Sequence, residues 1–285
     1  MNNLKIAIQK SGRLHDDSMK LLKECGIDVD NGRDQLKVSA KNFPVELLFL
    51  RNSDIPEYLA DGVADCAILG QNVVLESQVD LIEKLALGFA KCRLSIASPK
   101  NESWKGVSSL SGKKIATSYP NTVKRYLSEK GVSAELHTIS GSVEIAPNIG
   151  LADSIADLVS SGSTLLKNGL EEREEILRSE AALFASKNLS EAKEAILTQL
   201  AFRIKSVLLA KNNKYVLLNA PNKSIDAINA ILPGVKSPTV MPLLEPGWSS
   251  VHSVINENDF WEVIDQLKNV GAEGILVIPI EKMIA

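Results

Sequence analysis

The sequence predicts an α/β protein whose last portion is a smaller module of split-βαβ, ferredoxin-like type. Short apolar runs rich in β-branched residues recur between helical patterns in the first part of the chain, as a sheet covered by helices requires. Roughly the last seventy residues instead follow the order βαββαβ. A chain of 285 residues also exceeds the usual single core, and at about 150 residues per module it suggests two or three bodies.

The predicted strands are Leu4 to Ile8, Val45 to Leu50, Cys66 to Leu69, Leu94 to Ala97 and Lys114 to Thr117. Between them, His15 to Cys25 carries Met19, Leu21, Leu22 and Cys25 at helical spacing and meets Gly26, a natural helix stop. Asn121 to Lys130 repeats the pattern with Val123, Tyr126 and Leu127, stopped by Gly131, and the preceding Ser118-Tyr119-Pro120 is a candidate ligand loop. Glu171 to Glu180, with five Glu and two Arg, is expected to be a solvated surface without chemistry. From Leu189 to Ala210, apolar residues at three- and four-residue steps predict a long amphipathic helix. The terminal module is expected as strand Tyr215 to Asn219, helix Ile225 to Leu232, strands Thr239 to Leu244 and Ser250 to Ile255, helix Asp259 to Val270 and strand Gly274 to Ile278. Turn residues Pro221-Asn222, Pro233-Gly234, Glu245-Pro246-Gly247 and Gly271 fall at its joints.

Composition excludes several classes. With 45% hydrophobic and 24% charged residues the chain is neither disordered nor collagenous, and a net charge of -3 provides no general basic field for nucleic acid. No apolar run reaches the ~18 residues of a membrane span, and the N-terminal apolar stretch is too short for a signal peptide, so a cytoplasmic, membrane-free protein is expected. Three cysteines without C-x-x-C spacing read as reduced core thiols, and three scattered histidines give no metal spacing. No resident metal site is expected; any metal would arrive with substrate.

Chemistry concentrates in Ile155 to Leu165, an apolar strand ending in a carboxylate, Asp157, then the small-residue turn Ser160-Ser161-Gly162-Ser163-Thr164 and a helix start. Such a turn aims successive backbone N–H groups at one anion, because Gly162 permits positive φ and a helix beginning near Thr164 adds its positive end. Asp157 would accept from hydroxyls near that anion, which suits a sugar phosphate. A Ser/Gly turn capped by Thr164 is the alternative reading of the same residues.

Wider spacing bears on the choice. Glu144 opens the pattern Glu-x5-Gly-x-Ala-x2-Ile-x-Asp-Leu-x-Ser-x-Gly-x-Thr-Leu, which resembles the motif of the ATP phosphoribosyltransferase family. The resemblance extends through Gln9-Lys10-Ser11-Gly12-Arg13-Leu14, Asp54-Ile55-Pro56, Gly141-Ser142-Val143-Glu144 and Pro279-Ile280-Glu281-Lys282-Met283, and the terminal module is similar to that of the long form. It implies transfer of the phosphoribosyl group of PRPP to N1 of ATP, release of pyrophosphate, a need for Mg²⁺, the first step of histidine biosynthesis, and feedback inhibition by L-histidine. It also implies a two-lobe periplasmic-binding-protein-like catalytic region followed by a regulatory domain, and a homo-oligomer, dimer exchanging with hexamer. Residues 1–90 and 180–210 are then expected to form lobe I, 91–179 lobe II with the PRPP loop, and 211–285 the histidine-binding domain.

On this resemblance Glu144 and Asp157 are the catalytic candidates. Ser160, Ser161, Gly162, Ser163 and Thr164 would hold PRPP with Asp157; Asp153 either joins them or caps a turn. Lys10, Gly12, Arg13, Arg51, Asp65 and Tyr119 would contact ATP, although Arg51 alternatively pairs with Asp54 and Tyr119 alternatively packs in the core. Asn219, Ser237, Thr239 and Ala272 would receive histidine, the alternative being the strand edges of an oligomerising domain. A competing reading of the whole chain is a non-catalytic two-lobe solute-binding or sensor protein for an anion.

Overall fold

A computed structural model describes residues 3–30, 35–232 and 234–284. The chain opens with β1 (Leu4–Gln9), α1 (Arg13–Glu24), β2 (Lys37–Ser39), β3 (Val45–Leu50), α2 (Ile55–Ala60), β4 (Cys66–Gly70), α3 (Gln71–Ser77) and β5 (Ile82–Ala86). Strand β1 lies between β3 and β4 and runs parallel to both, Ile6 standing opposite Leu47 and Cys66. A parallel sheet covered on both faces needs nearly continuous apolar strands, and Leu4, Ile6, Ala7, Ile8, Cys66, Ala67, Ile68 and Leu69 are all buried. Parallel direction also sorts the edges: the carboxyl ends at Gln9, Leu50 and Gly70 share one, and Asp65 lies on the other.

The second sheet follows, from β6 (Cys92–Pro99), β7 (Lys114–Thr117), α4 (Pro120–Glu129), β8 (Glu135–Thr138), β9 (Ser154–Val159), α5 (Ser163–Lys167) and β10 (Leu170–Ser179). Its order is β10-β6-β9-β7-β8, with β7 parallel to β8 and β9, and β6 antiparallel to β9 and β10. The chain then returns as β11 (Ala181–Ala185), antiparallel between β4 and β5, completing the six-stranded sheet β2-β3-β1-β4-β11-β5. Two such sheets, exchanging strands through two crossings, make the two-lobe periplasmic-binding-protein-like architecture.

The charged stretch Glu171 to Glu180 belongs almost entirely to β10, which corrects the expectation of a solvated surface. It pairs with β6 along its length, with irregularities between Glu172 and Glu174 and between Glu175 and Leu177, and two of its acids, Glu172 and Glu174, are half-buried. Helix α6 (Glu191–Lys211) also departs from expectation: Leu197, Leu200, Ile204 and Val207 are buried, yet Phe202 and Leu209 are exposed, so its apolar residues occupy more than one face.

Two compact units are defined, one from Met1–Lys23 and Ile27–Thr198, the other from Glu24–Gly26 and Gln199–Ala285. The latter contains β12 (Asn213–Pro221), α7 (Ile225–Ile231), β13 (Thr239–Pro242), β14 (Trp248–Asn256), α8 (Glu257–Asn269) and β15 (Glu273–Pro279). The antiparallel order β13-β14-β12-β15 is ferredoxin-like. Val216, Leu218, Ala220 and Val251 form its core with Ile228, Phe260 and Leu267 of the two helices. The strand expected to reach Leu244 stops at Pro242, and past Leu243 the Trp248 N–H bonds the Glu245 carbonyl and closes the turn into β14. Of the expected Pro233-Gly234 turn, Gly234 has φ +66° and Pro233 lies outside the described residues. Among the described residues no helix is long and apolar enough to cross a membrane.

Candidate active site

Strand β9 ends at Val159, and the chain turns through Ser160, Ser161 and Gly162 into α5. Gly162 has φ +78°, while a β-carbon there would meet nothing closer than Val159 Cγ1 at 3.9 Å. The backbone angle, not crowding, therefore requires glycine. The N–H groups of Ser161, Gly162 and Thr164 have no protein acceptor among the described residues. Ser161 Oγ and Ser163 Oγ lie 3.1 Å apart across the turn. Donors without acceptors on a short exposed bend are suited to an oxyanion.

Asp157 stands on β9, half-buried, its Oδ1 accepting the Leu158 N–H at 2.8 Å. Burial pushes its carboxyl above the ordinary range; the Leu158 N–H opposes this and the charge of Glu144 adds to it. Glu144 occupies a 3₁₀ turn whose preceding residue, Ser142, has φ +49° and ψ +40°, uncommon for a non-glycine residue. Both acids and the Ser160–Thr164 bend line one cavity of about 520 Å³, joined across the lobes by Arg13. Arg13 is the first residue of α1 and follows Gly12 at φ +92°. Lys10 is anchored by its N–H on the Leu50 carbonyl at 2.8 Å, so Lys10, Gly12, Arg13 and Arg51 gather at the carboxyl edge of β1 and β3, where ligands of open α/β sheets bind. Arg51 makes no ion pair with Asp54 among the described residues; Asp54 accepts from Ser53 Oγ.

Three candidates are engaged by protein partners. Asp153 precedes β9 and accepts the Lys114 N–H at 2.7 Å, so at ~3.3 Å per strand residue it lies about 20 Å from the bend, at the wrong edge. Asp65 likewise sits at the amino end of β4, buried, accepting from the Lys5 N–H at 2.8 Å and from Lys193 Nζ at 2.7 Å; it braces the sheet against α6. Tyr119 is half-buried beside the second-lobe core, its hydroxyl accepting from Asn72 Nδ2 at 3.3 Å, and its phenol is pushed up to about 12, first by burial and then by Asp157. Its hydroxyl is engaged in an inter-lobe contact and its ring packs on the core, rather than standing free to stack on a base.

Other contacts had no sequence signal. Glu76 on α3 accepts the Asn121 and Thr122 N–H groups, both at 2.9 Å, and Thr122 Oγ1 at 2.7 Å, capping α4 from the opposite lobe. Buried Asn72 exchanges hydrogen bonds with Ser179. Arg93 on β6 donates to both carboxylate oxygens of Glu172 and holds it below the ordinary carboxylate range. Among the described residues no group of three or more His, Cys, Asp or Glu is disposed to hold a metal. The donor chemistry of the cavity, two carboxylates, fits a hard cation arriving on substrate oxygens. The three cysteines are free.

In the terminal domain, strand register brings Asn219 and Thr239 to one sheet face, opposite Ser250 and His252 respectively. The intervening His252 bonds Tyr215 at 2.6 Å and Ser250 at 3.0 Å, a trio the spacing did not reveal. Ser237 precedes β13 and is exposed. Ala272 has its methyl buried in the core and its N–H on the Leu267 carbonyl, leaving its carbonyl as the group a ligand could meet.

Fold and cavity together define the class: a two-lobe α/β protein with a cleft lined by two carboxylates and a bend of unpartnered N–H groups, followed in the chain by a ferredoxin-like domain. Residues 51–206 match the family described as ATP phosphoribosyltransferase, and residues 210–282 match HisG, C-terminal domain. An ATP phosphoribosyltransferase of Cytophaga hutchinsonii is 58% identical over 281 residues, covering 99% of this chain and 98% of that one. One of Parabacteroides distasonis is 55% identical over 283 residues, covering 99% of each. Among solved structures, the ATP phosphoribosyl transferase (HisG:HisZ) complex from Thermotoga maritima superposes with a TM-score of 0.61 at 32% identity, over 71% of this chain and 98% of that one. The chain belongs to the ATP phosphoribosyltransferase family, in its long form, and is a pentosyltransferase of histidine biosynthesis.

Proposed function

We propose that the cleft transfers the 5-phosphoribosyl group of PRPP to N1 of ATP, releasing pyrophosphate, and that the Ser160–Thr164 bend holds the 5′-phosphate. The observation that carries this reading is the single cavity shared by that bend, Asp157, Glu144 and Arg13. A phosphate accepts from the free N–H groups, and the ribose hydroxyls then fall toward Asp157, whose second oxygen is not taken by Leu158. The adenine N1 carries no proton to lose, so the attack needs no general base at the nucleophile. The bond from C1 of ribose to the pyrophosphate oxygen breaks as the bond to N1 forms, and positive charge develops on the ring. Glu144, whose charge is felt at Asp157, supports that charge electrostatically. Lys10, Arg13 and Arg51 supply cations for the phosphates of ATP and pyrophosphate. Mg²⁺, if it arrives on the substrate phosphates, would supply charge neutralisation at the leaving group, with Asp157 and Glu144 the carboxylates near enough to meet it.

In the same reading L-histidine binds the ferredoxin-like domain through Asn219 and Thr239 and inhibits the enzyme, which works in the cytoplasm as a homo-oligomer, dimer exchanging with hexamer. A binding-only protein is not favoured: family membership and paired acids beside the bend exceed what anion capture needs. The test is pyrophosphate release from purified protein supplied with PRPP, ATP and Mg²⁺. Pyrophosphate formation dependent on both substrates is expected; ligand binding without it would return the binding-only reading.

A further inference from the structure

Arg93 lies on β6, the strand between β9 and β10, and reaches to both neighbours. Its Nε and Nη2 donate to the two oxygens of Glu172 at 2.5 Å each, and its Nη1 donates to the carbonyl of Ser160 at 3.1 Å. Glu172 is itself fixed, because Oε1 also accepts from Ser95 Oγ at 2.7 Å and Ser95 is 1% exposed. The carbonyl that Arg93 grips belongs to the peptide joining Ser160 to Ser161. A trans peptide is planar, so pinning that oxygen points the Ser161 N–H in the opposite direction. Ser161 is the first free donor of the bend.

We infer that Arg93, braced by Glu172 and Ser95, is a positioning residue that sets the orientation of the phosphate-binding bend through the Ser160 carbonyl. This rests on the reading that the bend holds the PRPP phosphate. The guanidinium is committed on three of its donors to protein acceptors, and its charge is matched by the Glu172 carboxylate. Its contribution is therefore directional, not a cation offered to the substrate. A preorganised bend binds the phosphate without first losing the freedom of that peptide.

Two mechanisms for Arg93 differ in sign at Glu172. If Arg93 acts as a strut, Glu172→Gln breaks the two-point grip and weakens PRPP. If it attracts phosphate by charge, the same change unmasks a cation and tightens PRPP. The experiment measures Kd for PRPP and for ATP by calorimetry, and steady-state kinetics, on the intact enzyme and five variants. Arg93→Ala is expected to raise Kd and KM for PRPP about tenfold, the loss of roughly one charge-assisted bond, with kcat and the ATP Kd within about twofold. Arg93→Lys, keeping charge but not the fork, should recover only part of that. Glu172→Gln should raise the PRPP Kd by a smaller factor, and combining it with Arg93→Ala should add nothing, since both remove one strut. Tighter PRPP binding by Glu172→Gln would overturn the inference, as would equal weakening of PRPP and ATP accompanied by a lower melting temperature. Gly162→Ala separates the underlying reading: if that strain at φ +78° leaves PRPP binding unchanged, the bend is not the phosphate site and the strut falls with it. If Gly162→Ala weakens PRPP while Arg93→Ala does not, only the strut is wrong.

Discussion

Replacing Asp157 by Asn tests the site most sharply, because structure predicts opposite signs for activity and stability. An amide of nearly the same shape keeps Oδ1 for the Leu158 N–H, bonded at 2.8 Å, so the strand register survives. The second oxygen becomes an NH₂, which cannot accept from the ribose hydroxyls. Losing one charge-assisted hydrogen bond and facing donor with donor costs about 2–4 kcal/mol. At 1.36 kcal/mol per decade, that is roughly a 30- to 1,000-fold fall in kcat/KM for PRPP. Stability moves the other way. The folded carboxyl titrates above its unfolded value, so the folded state holds the proton more tightly and stability falls as pH rises through that window. At neutral pH the ionised form is a standing cost, and the amide removes it; the melting temperature should rise. The acid limb of the PRPP kcat/KM profile should begin above the range of an exposed aspartate in the parent enzyme. Pyrophosphate release with PRPP varied at saturating ATP, together with thermal melts at neutral pH, measures both. Unchanged kcat/KM, or a loss of activity that tracks a loss of stability, would refute the reasoning.

Other perturbations separate structural from functional acids. Glu76→Ala removes three acceptor contacts at the start of α4 and should destabilise by about 1–3 kcal/mol, seen as a lower Tm; an unmoved melt would mean the cap is not formed in solution. Asp65→Asn should lower Tm by breaking the buried contact with Lys193 while leaving the ATP KM within about twofold, and a raised ATP KM at intact stability would restore Asp65 to the nucleotide site. Asn219→Ala should weaken inhibition by added histidine without changing kcat; inhibition of undiminished strength would remove Asn219 from the regulatory face.

Legibility tracked how local the physical cause was. Gly162 and the bend were readable because positive φ and free N–H groups arise within a few residues, and the chain does adopt φ +78° there. The βαββαβ order was readable because turn residues mark its joints. Asp65 and Asp153 stand away from the bend for one shared reason: both adjoin apolar strands, but sequence adjacency does not tell which end of a strand faces the cleft. Strand direction decides it, since β4 is parallel to β1 and β9 is parallel to β7, placing both acids on the amino edges. Glu76 and Asn72 gave no signal because their partners, Thr122 and Ser179, lie 46 and 107 residues away.

The acidic run from Glu171 to Glu180 shows why composition alone misleads at a lobe crossing. A strand that lies at the edge of one sheet and then feeds its neighbour, β11, into another must carry charge outward to avoid pairing with foreign strands, so it reads as surface. Yet the same edge position leaves its inward acids beside β6, where Glu172 meets Arg93 and Glu174 accepts from Tyr126. Charges that protect the edge in one direction thus organise the interior in the other. The bend after β9 then depends on a residue of β6 and an acid of β10 as well as on its own glycine, so its geometry belongs to the three-strand assembly and not to the motif alone.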